Sequence, residues 1–448
     1  MIARGQHFLR RKFVRDTLIL QIGKVGVTTL STLSSVLVFR LLGPETFGIW
    51  ALAQSFFAIS QAFDFTGVEL STGTRLAAAI GAENDSEILN LLGFYIKIST
   101  LWALTTLILM AVIAPLTASL IYGGNARIGI LAVWLSLSVL TDALYNLFVI
   151  TLQSCRLMRA LALLQNLNQL TLALCIVVAL VTNATPEGMV AARLAYSGLT
   201  MIIAFIFYQR FRTQGSRIFP PFLRVIVHAR AVPIGPYWRF GVLNALDKNV
   251  ANLYSEIPLQ LVGIFGGHAA AGYLELGFKA MTLPGMFTSA VFDNLQAVVP
   301  QAVGRRDFAR LWHNFTRILL TLTGAAIGFY VVFALAMPII VPLLYGAKAI
   351  SAVPVIVVLS VYGAITTVGG IFGPLYRALY LLRAAIIIKV GALILMLVPG
   401  LFLVQTLGAS GGAWMVNLLY ALTVILTAGV TLPVLRGKAL EKQHVEFA

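Results

Sequence analysis

Leu18–Ser35, LILQIGKVGVTTLSTLSS, is long and apolar enough to sit in a membrane, yet it holds a lysine at position 24. The polar residues around that lysine are not scattered. Thr17, Gln21, Lys24, Thr28, Ser31 and Ser35 are spaced 4, 3, 4, 3 and 4. Such spacing draws one line along one face of an α-helix. A charge at the bilayer centre costs at least about 2.5–3.5 kcal/mol on insertion scales. A helix that carries one turns it toward protein or a water-filled cavity, or lets a long lysine stem snorkel to the head groups.

Composition extends this reading to the whole chain. Of 448 residues, 59% are hydrophobic and only 11% charged, with a mean hydropathy of +0.91. A soluble chain is about 25% charged. Twelve apolar runs are long enough to span a bilayer. They fall near 16–39, 46–66, 88–114, 128–152, 159–182, 188–208, 237–262, 272–298, 315–340, 352–374, 385–405 and 411–433. The runs are continuous and do not alternate as the strands of a membrane barrel do. The expected fold is all-α and polytopic, with about twelve transmembrane helices. No soluble catalytic domain fits between the spans, which argues against an enzyme. The basic N-terminus precedes an apolar segment too long for a signal core, so the first run reads as a retained helix. Cys155 and Cys175 match no metal spacing or disulfide framework. Neither HExxH, a P-loop nor GxSxG occurs, and no cofactor is expected.

The formal charge of +16 invites a nucleic-acid reading, but its distribution opposes one. With an even number of spans both termini share a side. That side collects the five basic residues before position 16, Arg75, Arg156, Arg159, and the arginines of 209–236. Arg305, Arg306, Arg310, Arg377, Arg383, Arg436, Lys438 and Lys442 join them. The opposite loops hold Arg40, Arg127 and Lys348. The positive-inside rule therefore puts both termini in the cytoplasm. The basic excess reads as topology and attraction to the lipid bilayer, not as a nucleic-acid site.

The sequence also repeats itself at an offset of 223 or 224 residues. GPETFGIW (Gly43–Trp50) meets GHAAAGYL (Gly267–Leu274). PLTASLIYGG from Pro115 meets PIIVPLLYGA from Pro338, and Gly81 meets Gly304. Arg159 meets Arg383, and Gly188, Leu194 and Tyr196 meet Gly412, Leu418 and Tyr420. Six spans per copy make a parallel repeat, which places a central site between two lobes. The expected domains are an N-terminal lobe (1–208), a basic cytoplasmic linker (209–236), a C-terminal lobe (237–433) and a cytoplasmic tail (434–448).

The offset carries Lys24 onto Lys248, which lies beside Asn244, Asn252 and Ser255 in the seventh span. The two lysines are candidates to face one another across the lobe interface; the alternatives are snorkelling by Lys24, and pairing of Lys248 with Asp247 or Glu256. Lys279 is a third intramembrane cation, with Ser55 at its repeat position. Lys97, Arg193 and Lys389 read equally as structural partners or as substrate contacts. Among intramembrane acids, Asp142, Glu256 and Asp293 are the candidates for ion coupling, since such carboxylates often relay protons. Gln165, Asn166, Asn168 and Gln169 line one stretch of the fifth span. They suit a sugar-binding wall or ordinary interhelical hydrogen bonds.

RLLGPETFGIWALAQSF (from Arg40) resembles the signature of Wzx-type oligosaccharide flippases, within the MATE/MOP exporter superfamily. GIFGGHAAAGYLELGFKAMTLPGMF and the P-x-x-x-x-L-L-Y-G loop are similar to that family's second-half pattern. The resemblance spans essentially the whole chain. It implies two six-helix bundles, a cationic central cavity and a polyprenyl-diphosphate-linked oligosaccharide as substrate. It further implies transfer from the cytoplasmic to the outer leaflet of a bacterial inner membrane for surface polysaccharide (O-antigen, lipopolysaccharide or exopolysaccharide), with a polysaccharide polymerase as candidate partner. The family's cavity cations correspond best to Lys24, Lys248 and Lys279, with Gln21, Thr28, Asn244, Asn252, Gln165 and Asn168 as further substrate contacts. The alternatives are a MATE-like multidrug exporter, which would show a net acidic cavity, and a membrane enzyme acting on lipid-linked sugars. A peptidoglycan-precursor flippase would usually have fourteen spans.

Overall fold

The computed structural model describes the backbone of residues 2–64, 66–155, 157–213 and 219–446. Side chains are described there except at 2–24, 70, 74, 236–240, 244, 286–291, 293, 294, 297 and 441–446. The described chain is almost wholly helical. The elements are α1 (Ile2–Gln61), α2 (Val68–Gly81), α3 (Asp85–Ile121), α4 (Arg127–Ser136), α5 (Ser138–Ser154), α6 (Met158–Thr182) and α7 (Pro186–Phe211). After these come α8 (Phe222–Ala229), α9 (Gly235–Phe265), α10 (Gly267–Gly304), α11 (Phe308–Tyr345) and a 3₁₀ turn (Ala347–Ala352). The chain closes with α12 (Val353–Gly369), α13 (Phe372–Ala378), α14 (Leu382–Leu407) and α15 (Ala409–Glu446).

Each of the twelve expected spans lies on these helices, two of them on α1, which breaks at Gly43 (φ 74°, ψ 171°). Nine helical stretches among the described residues are long and apolar enough to cross a membrane. Two features escape the apolar pattern. The short helices α2 and α8 lie outside the expected spans or on their edges. The second span ends early because Asp64 Oδ1 accepts from the Thr66 amide (2.9 Å) and hydroxyl (2.6 Å), closing a local turn. Gly67 then takes φ 55°, where a Cβ would lie 2.2 Å from the Gly241 carbonyl oxygen.

The duplication is written in the backbone. Repeat partners Gly43 and Gly267 both have positive φ (74° and 83°), as do Gly123 and Gly346 (61° and 85°). Glu83 and Arg306 share the same offset and the same left-handed conformation (57° and 56°). Each leads from one helix into the next, α2 into α3 and α10 into α11. A left-handed non-glycine residue is uncommon, so its recurrence at one repeat position marks a shared turn.

The chain divides into two compact units. Unit 1 is Met1–Ser34 with Phe63–Ala245; unit 2 is Ser35–Ala62 with Leu246–Ala448. The division falls inside α1, between Ser34 and Ser35 and ahead of the break at Gly43. Unit 1 packs around Leu91, Phe94, Tyr95, Phe148, Leu164 and Tyr208. In unit 2 one core surrounds Phe315, Phe372 and Leu375, and another Tyr254, Met415 and Leu419. Close backbone approach holds α1 in unit 2. A Cβ on Gly48 would lie 1.8 Å from the His268 carbonyl oxygen, and one on its repeat partner Gly272 would lie 2.4 Å from that of Pro44. Small residues permit such contacts where lipid gives helices no hydrophobic drive to associate. Elsewhere α3 and α11 leave large apolar residues exposed, among them Ile108, Val112 and Leu120 on α3 and Leu320, Leu335 and Ile339 on α11, as lipid-facing helices do.

Candidate functional site

Unit 2 holds a partly open cavity of about 440 Å³ walled by α9, α10, α11 and α12. Ser255 and Glu256 come from α9, and Glu275, Phe278, Lys279 and Thr282 from α10. Tyr330 comes from α11, and Tyr362, Thr366 and Thr367 from α12. Glu275 and Lys279 are one helical turn apart, so they share a face of α10, and Lys279 Nζ reaches Glu275 Oε1 at 3.0 Å. The Ser255 hydroxyl lies 3.4 Å from Glu256 Oε1. Aromatic rings back the wall: Phe278 meets Tyr362 at 6.3 Å between centroids, Tyr362 meets Tyr420 at 4.8 Å, and Tyr420 meets Tyr254 at 5.1 Å. The Tyr254 hydroxyl donates to the Lys389 carbonyl at 2.8 Å, which fixes that end of the ladder. Among the described lining residues two carboxylates face one ammonium. The cavity can therefore offer acceptors to hydroxyls, ring faces to a sugar's C–H surface and one cation to an anionic group.

A second polar cluster lies deeper in unit 2. Asp247 is 1% exposed and is held from three directions. Arg377 donates to Oδ2 at 3.0 Å, the Tyr376 hydroxyl to the same oxygen at 2.9 Å, and Lys389 to Oδ1. Lys389 also donates to the Asp247 carbonyl at 3.1 Å. A buried carboxylate persists only when its charge is paired and its lone pairs filled, and this cluster meets both conditions.

Unit 1 carries the third. Asp142 on α5 receives Arg193 NH2 at 2.6 Å and NH1 at 3.3 Å from α7. Ser138 donates to it at 3.1 Å, and Ser197 donates as well. Arg193 also lies over the Tyr196 ring at 5.0 Å. On α6, Asn166 turns back to the Ala162 carbonyl at 2.8 Å. Asn168 Oδ1 and Gln169 Nε2 are buried without a hydrogen-bond partner among the described residues.

Of the residues singled out by sequence, Glu256 and Lys279 are brought together in the unit 2 cavity. Lys248 and Asn252, both in unit 2, are exposed. In unit 1, Thr28 and Asn168 are partly buried and Gln165 is exposed. The side chains of Lys24, Gln21, Asn244 and Asp293 lie outside the described residues. Asp142 sits in its own cluster in unit 1, held by Arg193. Sequence reasoning counts Glu275 only among the intramembrane acids that could neutralise a lysine, and it missed Arg377 as a partner of Asp247. It also missed the tyrosines of the cavity wall. The four-residue spacing of Glu275 and Lys279 was available as a signal; Arg377 gave none beyond its loop charge.

Comparison with known proteins places this architecture. A family model described as a polysaccharide biosynthesis protein matches residues 37–354. No curated protein sequence matches significantly. Among solved structures, the chain is similar to an inward-facing multidrug-resistance MATE transporter of the MOP superfamily (TM-score 0.71, 14% identity, 93% of this chain and 96% of that one). It is also similar to a MOP-superfamily transporter from Pyrococcus furiosus described by a binding pocket of reversed polarity (TM-score 0.67, 14% identity, 95% of each chain). A eukaryotic MATE transporter matches as well (TM-score 0.63, 15% identity, 96% of this chain and 99% of that one). At such identities the likeness is one of fold, and it agrees with the repeat and the helix order found above. The chain belongs to the polysaccharide biosynthesis protein family, and it is built on the fold of the MATE/MOP transporters.

Proposed function

We propose that this protein is a flippase, which carries a polyprenyl-diphosphate-linked oligosaccharide from the cytoplasmic to the outer leaflet of a bacterial inner membrane for surface polysaccharide assembly. The observation that supports this most is the unit 2 cavity, where tyrosines, threonines and carboxylates surround one lysine in a chain of this family. Carboxylates and hydroxyls exchange hydrogen bonds with sugar hydroxyls, and ring faces pack on sugar C–H surfaces. Lys279 supplies a point charge, which suits phosphate without the two-pronged geometry of arginine. In this reading Lys24 and Lys248 join Lys279 on the diphosphate. Gln21, Thr28, Asn244, Asn252, Gln165 and Asn168 contact the sugars, while the polyprenyl tail stays in lipid.

Lobes 1–208 and 237–433, joined by the linker 209–236 and followed by the tail 434–448, alternate access by rocking, with both termini cytoplasmic. Glu256 is the carboxylate placed to carry a coupling ion, because it lines the cavity. Asp142 is already engaged by Arg193, Ser138 and Ser197, and acts as an anchor; Asp293 is a second coupling candidate. A polysaccharide polymerase takes the product. The test is replacement of the cell's own carrier by Lys279→Ala, and separately by Lys24→Ala with Lys248→Ala. Loss of surface polysaccharide at normal protein levels is expected. Normal polysaccharide in both strains refutes the phosphate grip.

One observation favours a second reading. Glu256 and Glu275 outnumber Lys279 in the cavity, which suits an organic cation and hence a multidrug exporter. Cells expressing the protein would then exclude cationic dyes, and Glu256→Gln would abolish the exclusion without altering surface polysaccharide.

A further inference from the structure

The linker helix α8 has two unlike faces. Phe222, Val225 and Ala229 turn inward onto unit 1, where Val225 and Ala229 are buried. Phe222 joins a ring cluster with Phe148, Phe205 and Tyr208. Polar contacts fix the register. His228 Nε2 lies 2.7 Å from Asn90 Oδ1, and Lys97 Nζ donates to the carbonyls of Arg230 (3.3 Å) and Val232 (2.9 Å). The outward face is apolar and uncovered: Leu223 is 76% exposed, Val227 71% and Ile226 40%. At 100° per residue these three lie within an arc of about 100°. Arg230 continues that same face and Arg224 lies at its edge; both are exposed.

The position of α8 selects its partner. The chain leaves α7 at Phe211, and the Phe219 amide donates to the Arg212 carbonyl at 2.9 Å. The helix then packs on the Asn90–Lys97 stretch of α3, at the near end of an expected span. It therefore lies where two spans meet the membrane edge. Segment 209–236 contains five arginines and no acidic residue. Asp85 and Glu87 precede the stretch of α3 that α8 covers.

We propose that α8 is an interfacial anchor. Leu223, Ile226 and Val227 enter the head-group and acyl boundary, while Arg224 and Arg230 bind anionic phospholipid head groups. Basic side chains near an anionic leaflet each contribute roughly a fivefold preference, and apolar area on the same face adds membrane affinity. The proposal is independent of what the cavity carries.

The test uses the full chain, with Cys155→Ser and Cys175→Ser, reconstituted in phosphatidylcholine–phosphatidylglycerol vesicles. A bimane probe is attached through Leu223→Cys or, in a second preparation, Val227→Cys. Brominated lipids should quench both probes, brominated phosphatidylglycerol more strongly than brominated phosphatidylcholine. Adding Arg224→Gln with Arg230→Gln should bring the two lipids to parity. Quenching by aqueous iodide alone would overturn the proposal. So would shielding from both quenchers, which would mean that a protein surface, such as a second copy, covers the helix. Equal quenching by the two lipids in the unsubstituted arginine background would refute the anionic preference.

Discussion

Asp247→Asn isolates the electrostatics of unit 2 in one substitution of nearly constant volume. It leaves two cations without their shared anion, and they differ sharply in access to solvent. The Lys389 side chain is 14% exposed and that of Arg377 47%. Removing one partner of a buried pair costs about 3–5 kcal/mol, because the remaining charge stays desolvated. A half-exposed cation is rehydrated, and its pair is worth about 0–1 kcal/mol. Nearly all of the loss should therefore come from Lys389. We expect Asp247→Asn to cost about 3 kcal/mol and Arg377→Gln under about 1 kcal/mol. Asp247→Asn with Lys389→Gln should recover most of the loss, since neither charge then remains. The assay is thermal inactivation of the purified protein in one detergent, followed by retained monodispersity, with the four forms run together as a double-mutant cycle. Additive losses from Asp247→Asn and Lys389→Gln would refute the reasoning. So would an Arg377→Gln variant as unstable as Asp247→Asn.

Three further outcomes follow from local geometry. Gly48→Ala and Gly272→Ala should each cost about 1–3 kcal/mol by overpacking, because their Cβ atoms would strike backbone at 1.8 and 2.4 Å. Gly81→Ala, with nothing within 4 Å, should be neutral in the same melting assay. Burial pushes the Cys155 thiol up to about 11, so the unreactive protonated form dominates at neutral pH. Its maleimide labelling in folded protein should rise about tenfold per pH unit until that value, whereas denatured protein should level off near the ordinary thiol range. Glu275→Gln frees Lys279 from its ion pair and should leave protein levels unchanged while altering surface polysaccharide; an unaltered product would remove that pair from the site.

The helices and the duplication were legible because each rests on local chemistry. Span positions follow from apolar runs, and Gly43, Gly123, Gly267 and Gly346 stand where the backbone needs positive φ. The candidate site was legible only in part. Lys279 and Glu256 stand out as charges in apolar runs. Yet the partners of Asp247 lie 130 and 142 residues away, on helices whose rotation is set by neighbours and not by their own composition. The assignment of Ser35–Ala62 to unit 2 was hidden for the same reason. It depends on the glycine contact with α10, which no property of α1 alone announces.

The two halves share a backbone plan but not a charge plan. At the repeat offset, Asp142 and Arg193 fall opposite Thr366 and Asn417, and Asp247 and Lys389 opposite Gly23 and Gln165. Glu256, Glu275 and Lys279 fall opposite Thr32, Ala51 and Ser55. Asp142 with Arg193, and Asp247 with Lys389, are pairs complete within one unit among the described residues. This is what burial requires. A buried carboxylate that lost its partner would cost its unit about 3–5 kcal/mol.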